Sequence, residues 1–223
     1  MILTDRGLVE TRTKAQAMII AGQIRVDGDI VSKVGTNVLL DAKVELVTGP
    51  RFVSRGGEKL DGALEDFKID PRGLICLDVG ASTGGFTDCL LGRGAVKVFA
   101  VDVGRGQLAQ SLRDDPRVVN LEDHHILKMD AASITETPAL AVVDVSFISL
   151  KGVLVRVREL LPAGAVAVPM VKPQFEVGPK FLKKGVVRTE ADRDRAVNEV
   201  QAAAEAAGFE CLGRTPARIK GPK

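Results

Sequence analysis

Two lysines and an aspartate stand where a packed α/β core would not normally put charge. Asp144 closes the apolar run Val142-Val143-Asp144-Val145, Lys172 closes Met170-Val171-Lys172-Pro173, and Lys59 follows the glycine pair Gly56-Gly57. A charge at the end of a buried strand is costly unless it is paired. Two lysines flanking a carboxylate lower each other's pKa while the carboxylate orients them, which makes an amine useful as a base near neutral pH. The same three residues also suit a purely structural reading, a Lys–Asp ion pair, and residue types alone do not separate the two.

A second group lies in Leu77-Asp78-Val79-Gly80-Ala81-Ser82-Thr83-Gly84-Gly85-Phe86-Thr87, which reads as a strand, a glycine-rich turn and the start of a helix. Glycine lets the backbone pass close to a ligand, and a helix start offers free amides. The spacing lacks G-x-x-x-x-G-K-[ST], which argues against a nucleotide P-loop. Downstream, Phe99-Ala100-Val101-Asp102 ends in a carboxylate placed to accept hydrogen bonds from a ribose diol. On spacing alone a nicotinamide cofactor stays open, as does a plain helix-capping role for Asp102.

These positions matter only if the fold gathers them. Apolar strands are expected at 74–79, 96–101, 118–121, 140–145, 165–171 and 210–214, with helices between them, at 58–67 and most clearly at 190–207. Short apolar strands alternating with helices predict an α/β fold of Rossmann-like type, a parallel sheet covered on both faces with its ligand crevice at the carboxyl ends of the strands. The first fifty residues read differently. A helix over 11–21 ends at Gly22, a hairpin turns at Asp27-Gly28-Asp29, and extended chain covers 38–47. Gly49-Pro50 is the expected boundary between a small α+β domain, 1–50, and a larger one, 51–223.

Composition narrows the classes. A hydrophobic content of 45% suits an ordinary globular core. No apolar run approaches the roughly 18–20 residues of a membrane span, and the N-terminus lacks the layout of a secretory signal, so a cytoplasmic protein without a membrane partner is expected. Cys76, Cys89 and Cys211 are too scattered for a disulfide or metal framework and read as buried thiols. His124 and His125 lack a third ligand at suitable spacing, so no metal is expected. With no Trp and no Tyr, a broad aromatic platform for nucleic-acid bases is largely unavailable.

In order along the chain, Ser54-Arg55-Gly56-Gly57-Glu58-Lys59-Leu60, the segment Leu77 to Asp88, Val101-Asp102-Val103-Gly104, Asp144-Val145-Ser146-Phe147-Ile148-Ser149 and Val171-Lys172-Pro173-Gln174-Phe175-Glu176 resemble the TlyA-type ribosomal RNA 2'-O-methyltransferases, a family also called haemolysin A, with an FtsJ-like catalytic domain. The first fifty residues, with Arg12, Ala15, Gly22 and Arg25-Val26-Asp27-Gly28, are similar to the RNA-binding domain of ribosomal small-subunit protein four. The resemblance implies a class I methyltransferase sheet, S-adenosylmethionine as cofactor, and ribosomal RNA or ribosomal subunits as partner. It implies cofactor contacts from Asp78, Gly80, Ala81, Ser82, Thr83, Gly84, Gly85, Phe86, Thr87 and Asp102. It also implies a catalytic set of Lys59, Asp144 and Lys172, in which Lys172 deprotonates or stabilises the target hydroxyl, Asp144 orients it and Lys59 gives electrostatic support.

The chain departs from the family at two places. A glutamate that follows a Gly-Pro-Lys-Gly-Asn segment has no counterpart, since the sequence ends at Gly221-Pro222-Lys223, so the last strand of the sheet is expected to be absent through truncation or loss. Glu122-Asp123-His124-His125 replaces Glu-Arg-Thr-Asn beside the expected adenine pocket, which leaves Glu122 and Asp123 as cofactor candidates. Arg6, Arg12, Lys14 and Arg25 are the candidates for contacting RNA phosphates. Residues 1–60 hold nine Lys or Arg against seven Asp or Glu, so charge alone does not favour RNA there. Three other readings remain open: a non-catalytic RNA-binding or ribosome-assembly factor, a cytolysin in line with the family's older name, and a small-molecule methyltransferase.

Overall fold

The computed structural model describes residues 2–20, 22–47 and 51–219. The chain forms two compact units, Met1–Arg51 and Phe52–Lys223. The expected boundary residues Gly49 and Pro50 lie outside the described residues.

In the first unit, helices α1 (Ile2–Asp5) and α2 (Arg12–Ile20) accompany a small sheet of β1 (Ile24–Val26), β2 (Asp29–Ile30) and β3 (Val44–Leu46) in the order β2-β1-β3. Leu3, Val9, Ala15, Ile19 and Ile24 form its core. The β1–β2 hairpin pairs Val26 with Asp29 across Asp27 and Gly28, both at positive φ, as a two-residue turn matched to strand twist requires. Of the extended chain expected over 38–47, only β3 forms a ladder.

The second unit opens with α3 (Arg55–Asp66). Ser54 caps it by accepting from the Gly56 amide, and Gly57, Leu60, Asp61 and Leu64 form its buried stripe at helical spacing. There follow β4 (Ile75–Val79), α4 (Gly85–Gly92), β5 (Lys97–Val101), α5 (Gln110–Arg113), β6 (Val118–Leu121), β7 (Leu140–Val143), α6 (Leu150–Leu160), β8 (Val166–Pro169), α7 (Pro173–Glu176), a small hairpin of β9 (Leu182–Lys183) and β10 (Val186–Val187), and α8 (Glu190–Ala206). The hairpin carried no sequence signal that set it apart from a loop.

Strands β4 to β8 make one parallel sheet, in the order β6-β5-β4-β7-β8. Strand alternation splits the core in two. Cys76, Val98, Ala100, Leu140 and Val142 face one layer with Leu60, Phe86 and Leu90, while Leu77, Val79, Phe99, Val101, Ala141 and Val143 face the other with Leu150, Val153, Leu154 and Val157. Burial on both faces explains why these strands read as continuous apolar runs.

The expected strand at 210–214 does not form. No strand pairs with the outer edge of β8 among the described residues, and a strand is held by its ladder. The segment is held instead by side chains: Arg214 donates to Asn198 and Gln201, Thr215 to Asp66, and Arg218 pairs with Glu65 and Asp66. Cys76 and Cys89 are buried, but Cys211, on this unpaired segment, is exposed, contrary to the sequence reading.

Candidate active site

The strand register positions the site. Val79 pairs with Val101 on one side and Val143 on the other, Val143 with Pro169, and Val101 with Leu121. The strands therefore end level with one another, and the next residues, Gly80, Asp102 and Asp144, emerge along one rim. The chain leaves β4 toward β5 on one side, whereas β7 and β8 lie on the other, so the crevice opens at the switch point of the sheet.

Two adjoining cavities occupy that crevice and share Gly80, Ser82, Asp144 and Ser146. The first, about 280 Å³, is polar and is lined by Lys59, Asp144 and Lys172, by Ser54, Arg55 and Gly56, and by Gly80, Ala81, Ser82, Thr83, Gly85 and Phe86. The second, about 320 Å³, is walled by Val79, Val101, Val103, Ile126, Val145, Phe147 and Ile148, with Asp102, Gln107, His124 and His125 at polar points.

Lys172 Nζ lies 2.7 Å from Asp144 Oδ1. It donates hydrogen bonds to Ser146 Oγ at 2.8 Å and to the Asp144 carbonyl oxygen at 3.4 Å. The Oδ1 contact has the closeness of an ion pair without hydrogen-bond angles, so this buried oxygen keeps an unfilled acceptor direction. Lys59, on α3, faces the same cavity and has no ion-pair partner among the described residues. The three residues singled out from the sequence thus converge, on elements far apart in the chain.

The glycine turn is shaped by two carboxylates. Asp102 accepts from the Ser82 amide at 2.8 Å and the Gly104 amide at 2.7 Å, which ties the β4 turn to the β5 turn. Asp78 is fully buried; its Oδ2 accepts from the Thr87 hydroxyl at 2.7 Å, while Oδ1 has no partner. Burial pushes this carboxyl up to about 7 against the opposing effect of the Thr87 hydrogen bond. Gly84 precedes α4 without any side-chain cap, and the Thr87 amide of the first turn hydrogen-bonds the Asp78 carboxylate beneath it.

The Asp78 shift has a definite sign. Between the ordinary aspartate value near 4 and about 7 the folded state keeps a proton that the unfolded chain has released, so this group's contribution to stability falls as pH rises through that window. Asp78→Asn should remove the penalty. Its stability relative to the parent is expected to grow by up to about 1.4 kcal/mol per pH unit from pH 4 to 7, measured by urea unfolding at a series of pH values. A pH-independent difference would contradict a buried titrating carboxyl.

Other candidates are placed differently. Glu122 lines neither cavity: its Oε1 accepts from the Gln107 and Leu108 amides at 2.5 and 2.9 Å, and its Oε2 from Asn120. These bonds, the Leu108 amide foremost, hold its carboxyl down at about 2. Asp123 is a turn residue at positive φ, and the histidines after it reach the second cavity instead. Thr87 is buried beneath the turn. In the first unit Arg6 donates to the Ala42 and Leu40 carbonyl oxygens. Lys14 pairs with Glu10, Arg25 stands opposite Glu45 in the β1–β3 register, and Arg12 is exposed at the start of α2.

One feature escaped the sequence reading. Phe147 is 92% exposed at the mouth of the second cavity, has φ of +64°, and its ring centroid lies 5.1 Å from that of Phe175. The composition lacks Trp and Tyr, yet an aromatic face is still presented at the site; only the strained turn, which no residue type announces, exposes it.

The chain resembles known proteins along nearly its whole length. It is 44% identical over 223 residues to the 16S/23S rRNA (cytidine-2'-O)-methyltransferase TlyA of Mycobacterium tuberculosis, covering 99% of this chain and 83% of the relative. It is 40% identical over 221 residues to Hemolysin A of Brachyspira hyodysenteriae, covering 98% and 92%. A solved hemolysin-named structure from Streptococcus thermophilus superposes with a TM-score of 0.77 at 37% identity, over 99% of this chain and 82% of that one. Residues 1–44 match the S4 domain. The Rossmann-like sheet, the convergent rim and the match of residues 52–223 place the chain in the FtsJ-like methyltransferase family.

Proposed function

We propose that this protein transfers a methyl group from S-adenosylmethionine to a ribose 2'-hydroxyl of ribosomal RNA. The observation that carries the reading is the Lys172–Asp144 pair, with Lys59 facing the same cavity, at the open end of a methyltransferase-family sheet. The name of the Mycobacterium tuberculosis relative supports the substrate and the S4 match supports an RNA-binding first unit. A ribosomal RNA substrate makes the cytoplasm its place of work; no described helix is long and apolar enough to cross a membrane.

The crevice suits the cofactor. Its apolar chamber fits an adenine, and Asp102 stands at the rim where a ribose diol would be held, whereas Asp78 is fully buried and lines neither cavity. Gly80, Ala81, Ser82, Thr83, Gly85 and Phe86 would form the wall of the polar chamber, whereas Gly84 lines neither cavity and faces Leu108 and Leu112. When bound, S-adenosylmethionine supplies a methyl group on a sulfonium, already electrophilic. The protein's task is then to hold and deprotonate the hydroxyl. Lys172, in its neutral form, accepts the hydroxyl proton, and Asp144 and Ser146 hold the resulting ammonium in the geometry seen here. Lys59 adds positive potential where the oxygen gains negative charge. In the first unit, Arg12, Lys14 and Arg25 offer exposed cations to phosphates, whereas Arg6 serves RNA binding by fixing the 40–42 loop.

Tritiated S-adenosylmethionine with ribosomal RNA and with intact subunits tests the reading. Label is expected in alkali-resistant dinucleotides, because alkaline cleavage requires a free 2'-hydroxyl. Label in mononucleotides would indicate base methylation and overturn the assigned site chemistry. Calorimetric binding of S-adenosylhomocysteine without transfer to either substrate would favour a non-catalytic RNA-binding factor.

A further inference from the structure

The loops after β7 and β8 carry the two members of the ion pair, and they are fastened together at three levels. Lys172 reaches Asp144 and Ser146, Phe175 packs against Phe147 with the rings tilted by 48°, and Glu176 closes the series. Glu176 Oε2 accepts from the Ser149 hydroxyl at 2.6 Å, and its Oε1 accepts from the Leu150 amide at 2.9 Å. Ser149 is the N-cap of α6, its oxygen accepting from the Lys151 amide at 3.2 Å. The helix start is therefore capped twice, once by its own serine and once by a carboxylate from the next loop, at the end where the helix dipole favours negative charge.

The loop between Asp144 and Ser149 has a reason to need this clamp. Phe147 holds φ of +64°, which is sparsely populated for an aromatic residue and persists only where the surroundings over-determine it. β4 anchors one end of the loop, its Val79 carbonyl accepting from the Asp144 amide. Glu176 anchors the other, and the single turn of α7 joins Glu176 to Lys172.

We infer that Glu176 is a positioning residue for the Lys172–Asp144 pair, acting through Ser149 and the start of α6. The inference rests on the proposed methyl transfer. Glu176→Gln keeps one acceptor but turns an amide donor toward a second donor, which loosens the clamp. A misplacement of order 1 Å at a reacting group can cost about 10²-fold in rate. The expected result is a kcat lower by about 10- to 100-fold, with the affinity for S-adenosylhomocysteine and the KM for RNA each within about 3-fold of the parent, since neither uses the clamp. Ser149→Ala should reproduce the loss, Ser149→Thr should restore activity by keeping the hydroxyl, and Glu176→Gln with Ser149→Ala should be no worse than either alone.

Unchanged kcat in both single variants would overturn the inference. So would a parallel fall in melting temperature, cofactor affinity and RNA KM, which is the signature of a cap that only stabilises the fold. A parent protein that transfers no methyl group sinks the functional reading and the inference with it, whereas an active parent with an equally active Glu176→Gln variant sinks the inference alone.

Discussion

Lys172→Ala is expected to lower kcat for methyl transfer by roughly 10²- to 10⁴-fold, the range usual for loss of a positioned acid or base, while calorimetric affinity for S-adenosylhomocysteine stays within about 3-fold. The amine is held against Asp144 Oδ1 and Ser146 Oγ in the polar cavity, beside the glycine wall assigned to the cofactor but separate from Asp102 and the apolar chamber. Removal also leaves Asp144, whose side chain is 19% exposed, without its cation. A lost rate could then reflect a disturbed loop instead of lost chemistry. Lys172→Arg separates these explanations. It keeps the charge beside Asp144, but a guanidinium does not give up its proton in a protein, so it cannot act as the base. The arginine variant should melt near the parent temperature and remain as inactive as the alanine variant. Parent-like turnover in either protein would remove Lys172 from the role proposed here.

How far this site could be read from sequence depends on which signals are local. Asp144 and Lys172 stood out because charge at the end of an apolar run is rare, and that anomaly survives in a single sequence. The sheet was legible for the same reason: strands buried on both faces read as unbroken apolar runs, and β4, β5, β6 and β7 appear close to where the pattern put them. The segment 210–214 has a similar pattern but no strand, because a ladder depends on a neighbour that local sequence does not describe. Its failure also exposes Cys211.

Other features depend on contacts that spacing cannot report. Glu122 lies in a segment bordering the expected adenine pocket, yet its carboxylate is occupied by the Gln107 and Leu108 amides, a loop contact with no marker in the Glu-Asp-His-His stretch. Arg6 looks like a phosphate contact in composition, but its guanidinium is spent on two carbonyl oxygens of its own unit. Glu176 was visible only as the last letter of a motif. Its meaning comes from Ser149 and Leu150, which reach it only once β7 and β8 lie side by side.

Gly80→Ala is expected to weaken S-adenosylhomocysteine binding by at least about 10-fold, to reduce stability by about 1–3 kcal/mol, and to abolish measurable methyl transfer. Gly80 has φ of +87°, where a side chain is strained, and a Cβ built there would stand 2.8 Å from the Asp144 carbonyl oxygen and 3.0 Å from its carbon. The obstacle is backbone, so a rotamer change cannot relieve it. Either the glycine turn or the Asp144 loop must move. Movement of the turn displaces Ser82 from Asp102 and opens both cavities, since Gly80 lines each of them. Movement of the loop displaces the oxygen that also accepts from Lys172 Nζ. One added methyl therefore strikes the wall proposed for the cofactor and the proposed catalytic pair together. The comparison is Gly152→Ala, where a Cβ meets nothing within 4 Å on α6 and binding and transfer should both persist. If Gly80→Ala bound S-adenosylhomocysteine as tightly as the parent, the crevice at the end of β4 would not be the cofactor site.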